Sequence, residues 1–336
     1  MYNDPNRDLK QYNTFGLKSE CMGLIHIYHE DEVLEVLEKG LQPIKILGGG
    51  SNILLTGNVP AYILKNEIKG IEIIEEDEKQ ALVCTGAGEK WENFVTWAMS
   101  HQLAGLENLS LIPGSVGAAP MQNIGAYGIE QDSAFYSLKA IHLSTGQRKT
   151  FVKDECKFGY RESVFKNELK DQYFITHVLY LLKKSDYTLN ADYGAIREIL
   201  NEKRIIDPKM TDISDAVITI RKSKLPDPKE IGNAGSFFKN PVISFVQYCE
   251  LKNVYTEMPS YKVSDTEVKV PAGWLIEKCG FKGKRYGNIG VHKNQALVLV
   301  HYGDGNGDEI LQLAKEIQAT VLNTFGIEIT PEVNIW

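Results

Sequence analysis

The sequence has no apolar run approaching the roughly 20 residues that a membrane-spanning helix needs. It also lacks a basic cluster typical of nucleic-acid binding, since its formal net charge is −7 and its cations are scattered. The polar segment from Met1 to Asp8 has no apolar core of a signal peptide. We therefore expect a cytoplasmic protein that binds neither membranes nor nucleic acid. Local cations and backbone N–H groups can still bind an anionic ligand.

Cysteine is scarce, and its five positions are far apart in the chain, without a C-x-x-C pair. This spacing predicts reduced and mostly buried thiols. The seven histidines include no H-E-x-x-H motif or other metal-ligand spacing. No protein-bound metal is expected. The cysteines are Cys21, Cys84, Cys156, Cys249 and Cys279.

Internal repeats and low-complexity segments are also absent, and the composition is that of an ordinary globular protein. Hydrophobic residues make up 43% of the chain and charged residues 24%, which is enough apolar material for sizeable cores. A length of 336 residues predicts about two domains. The polar, proline-containing stretch 206–212 marks the expected boundary.

The first part of the chain alternates strands and helices, as in an α/β domain. Apolar periodicity predicts a helix at 31–39 between strands at 23–29 and 43–47. Strands at 70–75 and 80–85 are expected to pair in antiparallel fashion across a charged turn. The same criteria predict helices at 90–103, 214–222, 271–279 and 308–324, and strands at 61–65, 137–144, 173–182, 295–301 and 327–336.

A run of three glycines, a serine and an asparagine, Gly48 to Asn52, directly follows a predicted strand. Its backbone N–H groups could surround a pyrophosphate. The run is not a Rossmann fingerprint, because the third glycine of G-x-G-x-x-G would fall at Ile53, and no Gly-Lys-Ser/Thr of a P-loop follows. A tight glycine turn without a ligand is the alternative.

A second unusual stretch, from Leu109 to Gly128, consists almost entirely of small residues, prolines and amides. Small residues bury too little area to build a core, and a surface loop would carry more charge. The composition fits backbone that lies closely against a large flat ligand. Together with the first run, it favours binding of a phosphate-containing ligand.

Several isolated residues have both a functional and a structural interpretation. Ser236 lies in the glycine-rich stretch 232–241, where a serine usually only bonds nearby backbone. Arg161 offers a planar fork for a carboxylate or phosphate, or a surface ion pair. Glu332 is either a site carboxyl or an exposed strand residue. Tyr193 could contact a ligand or fill a gap, and Lys224 could meet a phosphate or face solvent.

With these residues assembled, the chain resembles the UDP-N-acetylenolpyruvoylglucosamine reductase (MurB) family along essentially its whole length. The tyrosine-bearing stretch around Tyr193 and the serine of 235–237 resemble the first of the family's two types, in which such a loop folds over the substrate. The matching segments occur in the family's order and are residues 13–15, 46–52, 111–127, 158–163, 224–228, 232–241 and 331–333.

The resemblance implies an α+β fold with an FAD-binding module of the PCMH type, similar to vanillyl-alcohol oxidase, followed by an α/β substrate-binding domain. It implies a first flavin-binding subdomain at 1–69, joined by the C-terminal segment at about 311–336. A second subdomain at 70–206 includes the Tyr193 loop, and the substrate domain spans 207–310.

The resemblance also implies the ligands. NADPH reduces a non-covalently bound FAD and leaves, and the UDP-sugar enolpyruvyl ether then occupies the same cleft. Its phosphate groups would meet Tyr193, Lys224 and Asn240, and Gln295 is a further substrate-binding candidate. A monomer is expected. The implied FAD-binding residues are Gly48, Gly49, Gly50, Ser51, Asn52, Gly114, Ser115, Asn123, Gly125, Ala126 and Tyr160.

The implied reaction reduces UDP-N-acetylglucosamine enolpyruvate to UDP-N-acetylmuramate for peptidoglycan synthesis. Arg161 and Glu332 would bind the substrate carboxylate and stabilise its enolate, and Ser236 would donate the proton. Two alternatives remain: another flavin-dependent oxidoreductase, such as an oxidase of small alcohols, and a nucleotide-binding module without catalysis. Lys224, Ser236 and Glu332 in the family's order argue against the first alternative. The joint presence of Arg161, Ser236 and Glu332 argues against the second.

Overall fold

The computed structural model describes residues 2–4 and 7–336, which form two compact units. Each unit is assembled from three separate pieces of the chain. The first unit comprises the described residues up to Arg7, with Cys21–Gly50 and Pro60–Lys222. The second comprises Asp8–Glu20, Ser51–Val59 and Ser223–Trp336. The domain division implied by the resemblance stays a prediction.

Most strands are short. They are β1 (Tyr2–Asp4), β2 (Cys21–Ile27), β3 (Ile44–Leu47), β4 (Ile53–Leu54), β5 (Val59–Asn66), β6 (Ile71–Glu76), β7 (Gln80–Gly86), β8 (Gly125–Ala126), β9 (Ile129–Glu130), β10 (Phe135–His142), β11 (Arg148–Val152), β12 (Tyr173–Lys183), β13 (Gly232–Asn233), β14 (Val242–Ser244), β15 (Tyr261–Lys262), β16 (Glu267–Lys269), β17 (Arg285–Tyr286), β18 (Ile289–Val291), β19 (Leu299–His301) and β20 (Asn334–Ile335).

The helices range from one turn to five. They are α1 (Glu30–Glu38), α2 (Trp91–Ser100), α3 (Lys153–Cys156), α4 (Gly194–Glu202), α5 (Met210–Lys224), α6 (Phe245–Val254), α7 (Ala272–Lys278) and α8 (Gly307–Phe325). None of the helices in residues 2–4 and 7–336 is both long and apolar enough to cross a membrane.

The first unit contains two main sheets. One has the order β1-β2-β5-β3, and its strands β3 and β5 run parallel, as the predicted α/β beginning requires. The other has the order β11-β10-β12-β7-β6. Its strands β6 and β7 form the predicted antiparallel pair, with an irregularity between Ile73 and Glu75. The carboxyl end of β3 leads directly into Gly48, so the sheet fixes the start of the glycine run.

The largest core of the first unit lies between its five-stranded sheet and α2. Trp91, Phe94 and Tyr180 are fully buried there, and the Trp91 and Phe94 rings lie 5.9 and 5.2 Å from the Tyr180 ring. The Trp91 indole Nε1 donates to the Leu109 carbonyl at 3.0 Å. This bond ties the start of the small-residue stretch to the core. A separate apolar cluster joins α4 and α5 and includes Tyr127.

The second unit is built on a four-stranded sheet of order β13-β19-β18-β17, packed against α8. The aromatic rings of Phe237 and Phe238 are buried in its core beside Phe15. The His301 imidazole Nδ1 lies 2.9 Å from the Phe15 carbonyl oxygen, and the Thr14 carbonyl accepts from the Asn233 N–H at 3.0 Å. These contacts fasten the segment 13–15 to the strand that precedes Ser236.

Four expectations from the sequence are wrong. Residues 295–298 form a turn rather than strand, because the Val298 N–H bonds the Gln295 carbonyl. Of the predicted final strand, 334–335 form β20 alongside β4, and Pro331 makes only an isolated bridge with Phe238. Helix α5 begins at Met210, four residues before the predicted start at Ser214 and inside the expected boundary stretch. The five thiols are free, but Cys21 and Cys156 alone are buried.

Candidate active site

In the first unit, the glycine run lies directly against the small-residue stretch. A Cβ placed on Gly49 would lie 2.7 Å from the Gly114 Cα, and one on Gly48 would lie 2.5 Å from the Ser115 Oγ. The backbone φ of Gly50 is +65°, a left-handed conformation that favours glycine. The two loops can approach this closely only because glycine lacks a side chain.

The two loops together expose a set of backbone donors. Within the part of the chain that the structure describes, no hydrogen bond is formed by the N–H groups of Gly48, Gly49, Gly114 and Ser115. Neighbouring backbone N–H groups without internal acceptors form a binding site for anions. A pyrophosphate group, as in FAD, fits this arrangement. The geometry therefore supports the predicted cofactor-binding role of these four residues.

The continuation of the small-residue stretch is held by the side chain of Asn123, which is fully buried. Its Nδ2 donates to Glu130 Oε2 at 2.9 Å, and its Oδ1 accepts from the Asp132 N–H at 3.2 Å. Gly125 and Ala126 form β8, which pairs with β9. Because the Asn123 amide is committed to the protein, any contact of Asn123 with a flavin would come from its backbone.

Arg161 is fixed beside this stretch. Its guanidinium donates to the Gly125 carbonyl and, at 3.4 Å, to the Asn123 carbonyl. It also lies 3.7 Å from the Glu130 carboxylate and 5.3 Å from the centre of the Tyr160 ring. With a backbone φ of +56°, Arg161 is one of the few non-glycine residues in the left-handed region. The structure thus places a fixed planar cation against the predicted flavin-binding backbone.

Sequence reasoning missed a second arginine, Arg221. Its Nε donates to the Leu111 carbonyl at 3.1 Å, and its guanidinium interacts electrostatically with the Tyr127 phenol. Burial lowers the pKa of Arg221, the Tyr127 phenol opposes this shift, and the positive charge of Arg161 adds to it. Two arginines that repel each other favour an anion between or beside them. No sequence motif marks Arg221, which is one of several cations on α5.

Tyr193 is the residue immediately before α4, and its carbonyl accepts from the Ile196 N–H at 2.8 Å. Its side chain is 39% exposed, and its ring lies edge-to-face with Tyr127 at a centroid distance of 5.3 Å. The predicted substrate-binding tyrosine is therefore joined through Tyr127 to the arginine pair of the first unit.

In the second unit, the residue after Ser236 is hydrogen-bonded to Glu332 through the backbone. The Phe237 carbonyl accepts from the Glu332 N–H at 2.8 Å, and the Phe237 N–H donates to the Leu297 carbonyl at 2.7 Å. Gly235, with a φ of +71°, turns the chain just before Ser236. The backbone of the predicted proton donor thus lies between the loop at 297 and the segment at 330–332.

The segment that carries Glu332 is also bonded to the last residue of the glycine run. Asn52 belongs to the second unit, and its Nδ2 donates to the Glu332 carbonyl at 3.2 Å. The Asn52 carbonyl accepts from the Asn334 N–H at 3.0 Å, next to the parallel pair of β4 and β20. The position of Glu332 is therefore fixed by pairing with residues that lie far away in the sequence.

The predicted substrate residues of the second unit have defined but partly structural positions. Lys224 is exposed at the end of α5. Asn240 Oδ1 accepts from the N–H of Ala272, the first residue of α7, at 2.9 Å, which leaves its Nδ2 for another acceptor. Gln295 Oε1 accepts from the Leu297 N–H at 3.3 Å. The roles of these residues, like those of Ser51 and Tyr160 toward FAD, stay predictions.

Family models match both parts of the chain. A model described as "FAD binding domain" matches residues 25–150. A model described as "UDP-N-acetylenolpyruvoylglucosamine reductase, C-terminal domain" matches residues 227–336. The first range contains the two facing loops of the first unit, and the second contains both Ser236 and Glu332.

Curated proteins match over nearly the full length. A UDP-N-acetylenolpyruvoylglucosamine reductase from Flavobacterium johnsoniae is 52% identical over 331 residues, covering 98% of this chain and 98% of that protein. One from Pseudomonas aeruginosa is 45% identical over 332 residues, covering 98% of this chain and 97% of that protein.

The crystal structure of UDP-N-acetylenolpyruvylglucosamine reductase (MurB) from Thermus caldophilus is similar in fold, with a TM-score of 0.67 and 24% identity. The match covers 98% of this chain and 97% of that one. This likeness and the FAD-binding model confirm the expected α+β fold class, a PCMH-type flavin module with an added substrate-binding domain. The full-length identities show that the chain belongs to the UDP-N-acetylenolpyruvoylglucosamine reductase family.

Proposed function

We propose that the protein is a flavoenzyme that reduces UDP-N-acetylglucosamine enolpyruvate to UDP-N-acetylmuramate for peptidoglycan synthesis, with NADPH as the reductant. The observation that carries the proposal is the 2.8 Å hydrogen bond from the Glu332 N–H to the carbonyl of Phe237, the residue after Ser236, in a chain of this family. This bond joins the backbone next to the Ser236 hydroxyl to the residue that bears the Glu332 carboxyl. Small-molecule partners and a cytoplasmic monomer fit this function.

FAD would be held by the open N–H groups of Gly48, Gly49, Gly114 and Ser115, without a covalent bond. When bound, FAD would supply the hydride chemistry that links NADPH to the enolpyruvyl group. The protein contributes orientation and charge. In the first unit, Arg161 and Arg221 provide the positive charge for the anionic groups of the reaction.

The UDP-sugar would be bound mainly through its two phosphates. Tyr193, Lys224 and Asn240 are suited to this role, because a phenol, an ammonium and an amide all donate hydrogen bonds to phosphate oxygens. Gln295 adds a fourth donor in the second unit. NADPH and the UDP-sugar would use the site in turn, since both transfer or receive the same hydride.

The chemical step develops negative charge on the enolpyruvyl group, toward its carboxylate. Arg161 and Glu332 would bind that carboxylate, with Glu332 acting best in its protonated form. Fixed groups that face developing charge usually supply the largest catalytic contribution. Ser236 would then donate a proton to the carbon next to the carboxylate. A serine hydroxyl is a weak acid, so the strongly basic enolate and close positioning are both needed.

The experiment is an anaerobic titration followed by the flavin spectrum. Purified protein with FAD is reduced with NADPH, and the UDP-sugar enolpyruvyl ether is then added. Bleaching followed by recovery of the oxidised flavin spectrum is expected. Bleaching without recovery would reject the substrate, and reaction of the reduced flavin with oxygen would then test an oxidase. A flavin that NADPH does not reduce would favour a regulatory module.

A further inference from the structure

Tyr127 occupies a junction in the first unit that none of the roles above uses. Its backbone φ is +50°, an uncommon conformation for a residue with a bulky side chain. Asn108 Nδ2 donates to the Tyr127 carbonyl at 3.4 Å and to the Asn190 carbonyl at 2.9 Å. One amide thus ties the small-residue stretch to the segment 187–193 that ends at Tyr193.

The ring of Tyr127 contacts the substrate segment directly. It lies edge-to-face with Tyr193 at 5.3 Å, with an interplanar angle of 87°. Edge-to-face aromatic pairs change an equilibrium by about two- to tenfold beyond the area they bury. The Tyr127 ring also packs against the apolar cluster of α4 and α5. The orientation of Tyr193 therefore depends on the Tyr127 ring.

The hydroxyl of Tyr127 points to a different partner. It interacts electrostatically with the Arg221 guanidinium, whose Nε is held by the Leu111 carbonyl at 3.1 Å. Burial raises the pKa of the Tyr127 phenol, and Arg221 opposes this shift. The phenol oxygen is an acceptor that suits a guanidinium. Hydrogen bonds to charged groups are stronger than those between neutral groups.

We propose that Tyr127 is a positioning residue with two separable functions: its ring orients Tyr193 for the UDP-sugar, and its hydroxyl orients Arg221 beside Arg161. The inference rests on the proposed function, because it assigns Tyr193 to the substrate and the arginines to the reaction. One side chain would then couple the binding of the UDP-sugar to the charge that the reaction needs.

Two substitutions separate these functions. Tyr127→Phe keeps the ring and removes the hydroxyl, so the KM for the UDP-sugar should stay within about twofold while kcat falls about tenfold. Tyr127→Leu removes both, so kcat should fall similarly and KM should rise by a further two- to tenfold or so. A residue with a merely structural role would not divide its effects between KM and kcat in this way.

A double-mutant cycle tests the contact with Tyr193. If the ring contact positions Tyr193, Tyr127→Leu combined with Tyr193→Leu should raise KM no more than Tyr193→Leu alone. Tyr187 is the matched control, because it lies in the same segment and is 38% exposed, close to the 39% of Tyr193. The effects of Tyr187→Leu and Tyr127→Leu on KM should multiply when the two substitutions are combined. If the effects of Tyr127→Leu and Tyr193→Leu on KM also multiply, the proposal is overturned.

Amide hydrogen exchange gives a readout that needs no substrate. Exchange over residues 190–196 should be faster in Tyr127→Leu and unchanged in Tyr127→Phe. If the wild-type protein fails to turn over the UDP-sugar but shows this exchange pattern, the substrate assignment fails and the positioning of Tyr193 stands. If turnover is normal and Tyr127→Leu changes neither exchange nor KM, the positioning role is refuted and the proposed function stands.

Discussion

The two units present their candidate ligand groups in different ways. In the first unit, the groups are mainly backbone N–H groups of Gly48, Gly49, Gly114 and Ser115, supplemented by arginines that are themselves fixed by backbone carbonyls. In the second unit, they are the side chains of Ser236 and Glu332, and the Glu332 N–H donates to the carbonyl of Phe237, the residue after Ser236. The candidate site of the first unit is therefore defined by the absence of side chains, and that of the second unit by the presence of particular ones.

This difference predicts different tolerances to mutation. A backbone site fails when any side chain is added, whatever its chemistry, because the loops can no longer approach. A side-chain site fails when a particular functional group is removed, even if the shape is kept. The predictions below test this contrast, and their expected effects decrease in order.

The largest effect is expected in the second unit for Ser236→Ala. Without the hydroxyl, the enolate has no positioned proton donor, so transfer to the enolpyruvyl substrate should slow by about 10²- to 10⁴-fold. Reduction of the flavin by NADPH should remain unchanged. Stopped-flow spectroscopy of the two half-reactions measures both rates.

The control for this experiment is Ser264→Ala, at an exposed serine of the same unit. It should alter neither half-reaction. An equal loss of both half-reactions in Ser236→Ala would show that Ser236 is structural rather than a proton donor.

In the first unit, Gly49→Ala should weaken FAD binding at least about tenfold, which corresponds to 1.4 kcal/mol. The added Cβ would lie 2.7 Å from the Gly114 Cα, and backbone cannot move aside as a flexible side chain can. Titration of the apoprotein with FAD, followed by flavin fluorescence, measures the affinity.

Gly57→Ala is the matched control, since a Cβ there meets no atom within 4 Å and the backbone φ is not positive. Its FAD affinity should equal that of the wild type. Unchanged FAD affinity in Gly49→Ala would mean that the two loops do not need their close approach.

A smaller effect on stability is expected for Asn240→Ala in the second unit. The substitution removes the acceptor for the Ala272 N–H at the start of α7, and loss of such a cap costs about 0.5–2 kcal/mol. The free energy of unfolding in urea measures it. Asn323→Ala, at an exposed position inside α8, should be neutral or slightly stabilising; equal losses in both variants would contradict a capping role.

The smallest effect concerns His292, whose buried Nδ1 has no hydrogen-bond partner among the described residues. Burial, with a smaller contribution from Lys293, lowers the pKa of His292 from its ordinary value of 6.5. The unfolded chain therefore binds a proton more readily than the folded one. Stability should decline as the pH is lowered from 6.5 toward the lower pKa of the folded state, by at most about 1.4 kcal/mol per pH unit.

His292→Gln should flatten that part of the stability profile, measured by urea unfolding between about pH 7 and 5. His101→Gln, at an exposed histidine, should leave the slope unchanged. A slope that is the same in wild type and His292→Gln would exclude His292 as its source.

Much of the candidate site in the first unit could be predicted from the sequence, because runs of glycine and other small residues mark places where backbone lies close to other groups. The Gly48–Asn52 run and the small-residue stretch stand out in composition, and the structure places their first parts in contact. Arg221 could not be found in this way, because an arginine on an amphipathic helix has no local signature. Its importance depends on the fold, which places it beside Arg161 and Tyr127.

In the second unit, Ser236 and Glu332 are predicted through the ordered family resemblance rather than through local patterns. Local patterns failed at 295–298, where an apolar run that resembles a buried strand forms a turn whose Leu297 carbonyl receives the Phe237 N–H. The alternating apolar residues of 327–333 likewise predict a strand that the structure does not contain. Tertiary hydrogen bonds decide both conformations, and local propensity does not contain them.

The pairing of the Glu332 segment with residues near β4 has a consequence for protein synthesis. The Trp336 carbonyl accepts from the Thr56 hydroxyl, 280 residues earlier in the chain. At a translation rate of about 5–20 residues per second, roughly 14 to 56 s pass between the synthesis of the two partners. A nascent chain can therefore form the close contact of Gly48 and Gly49 with residues 114–115 before the segment that carries Glu332 has been synthesised.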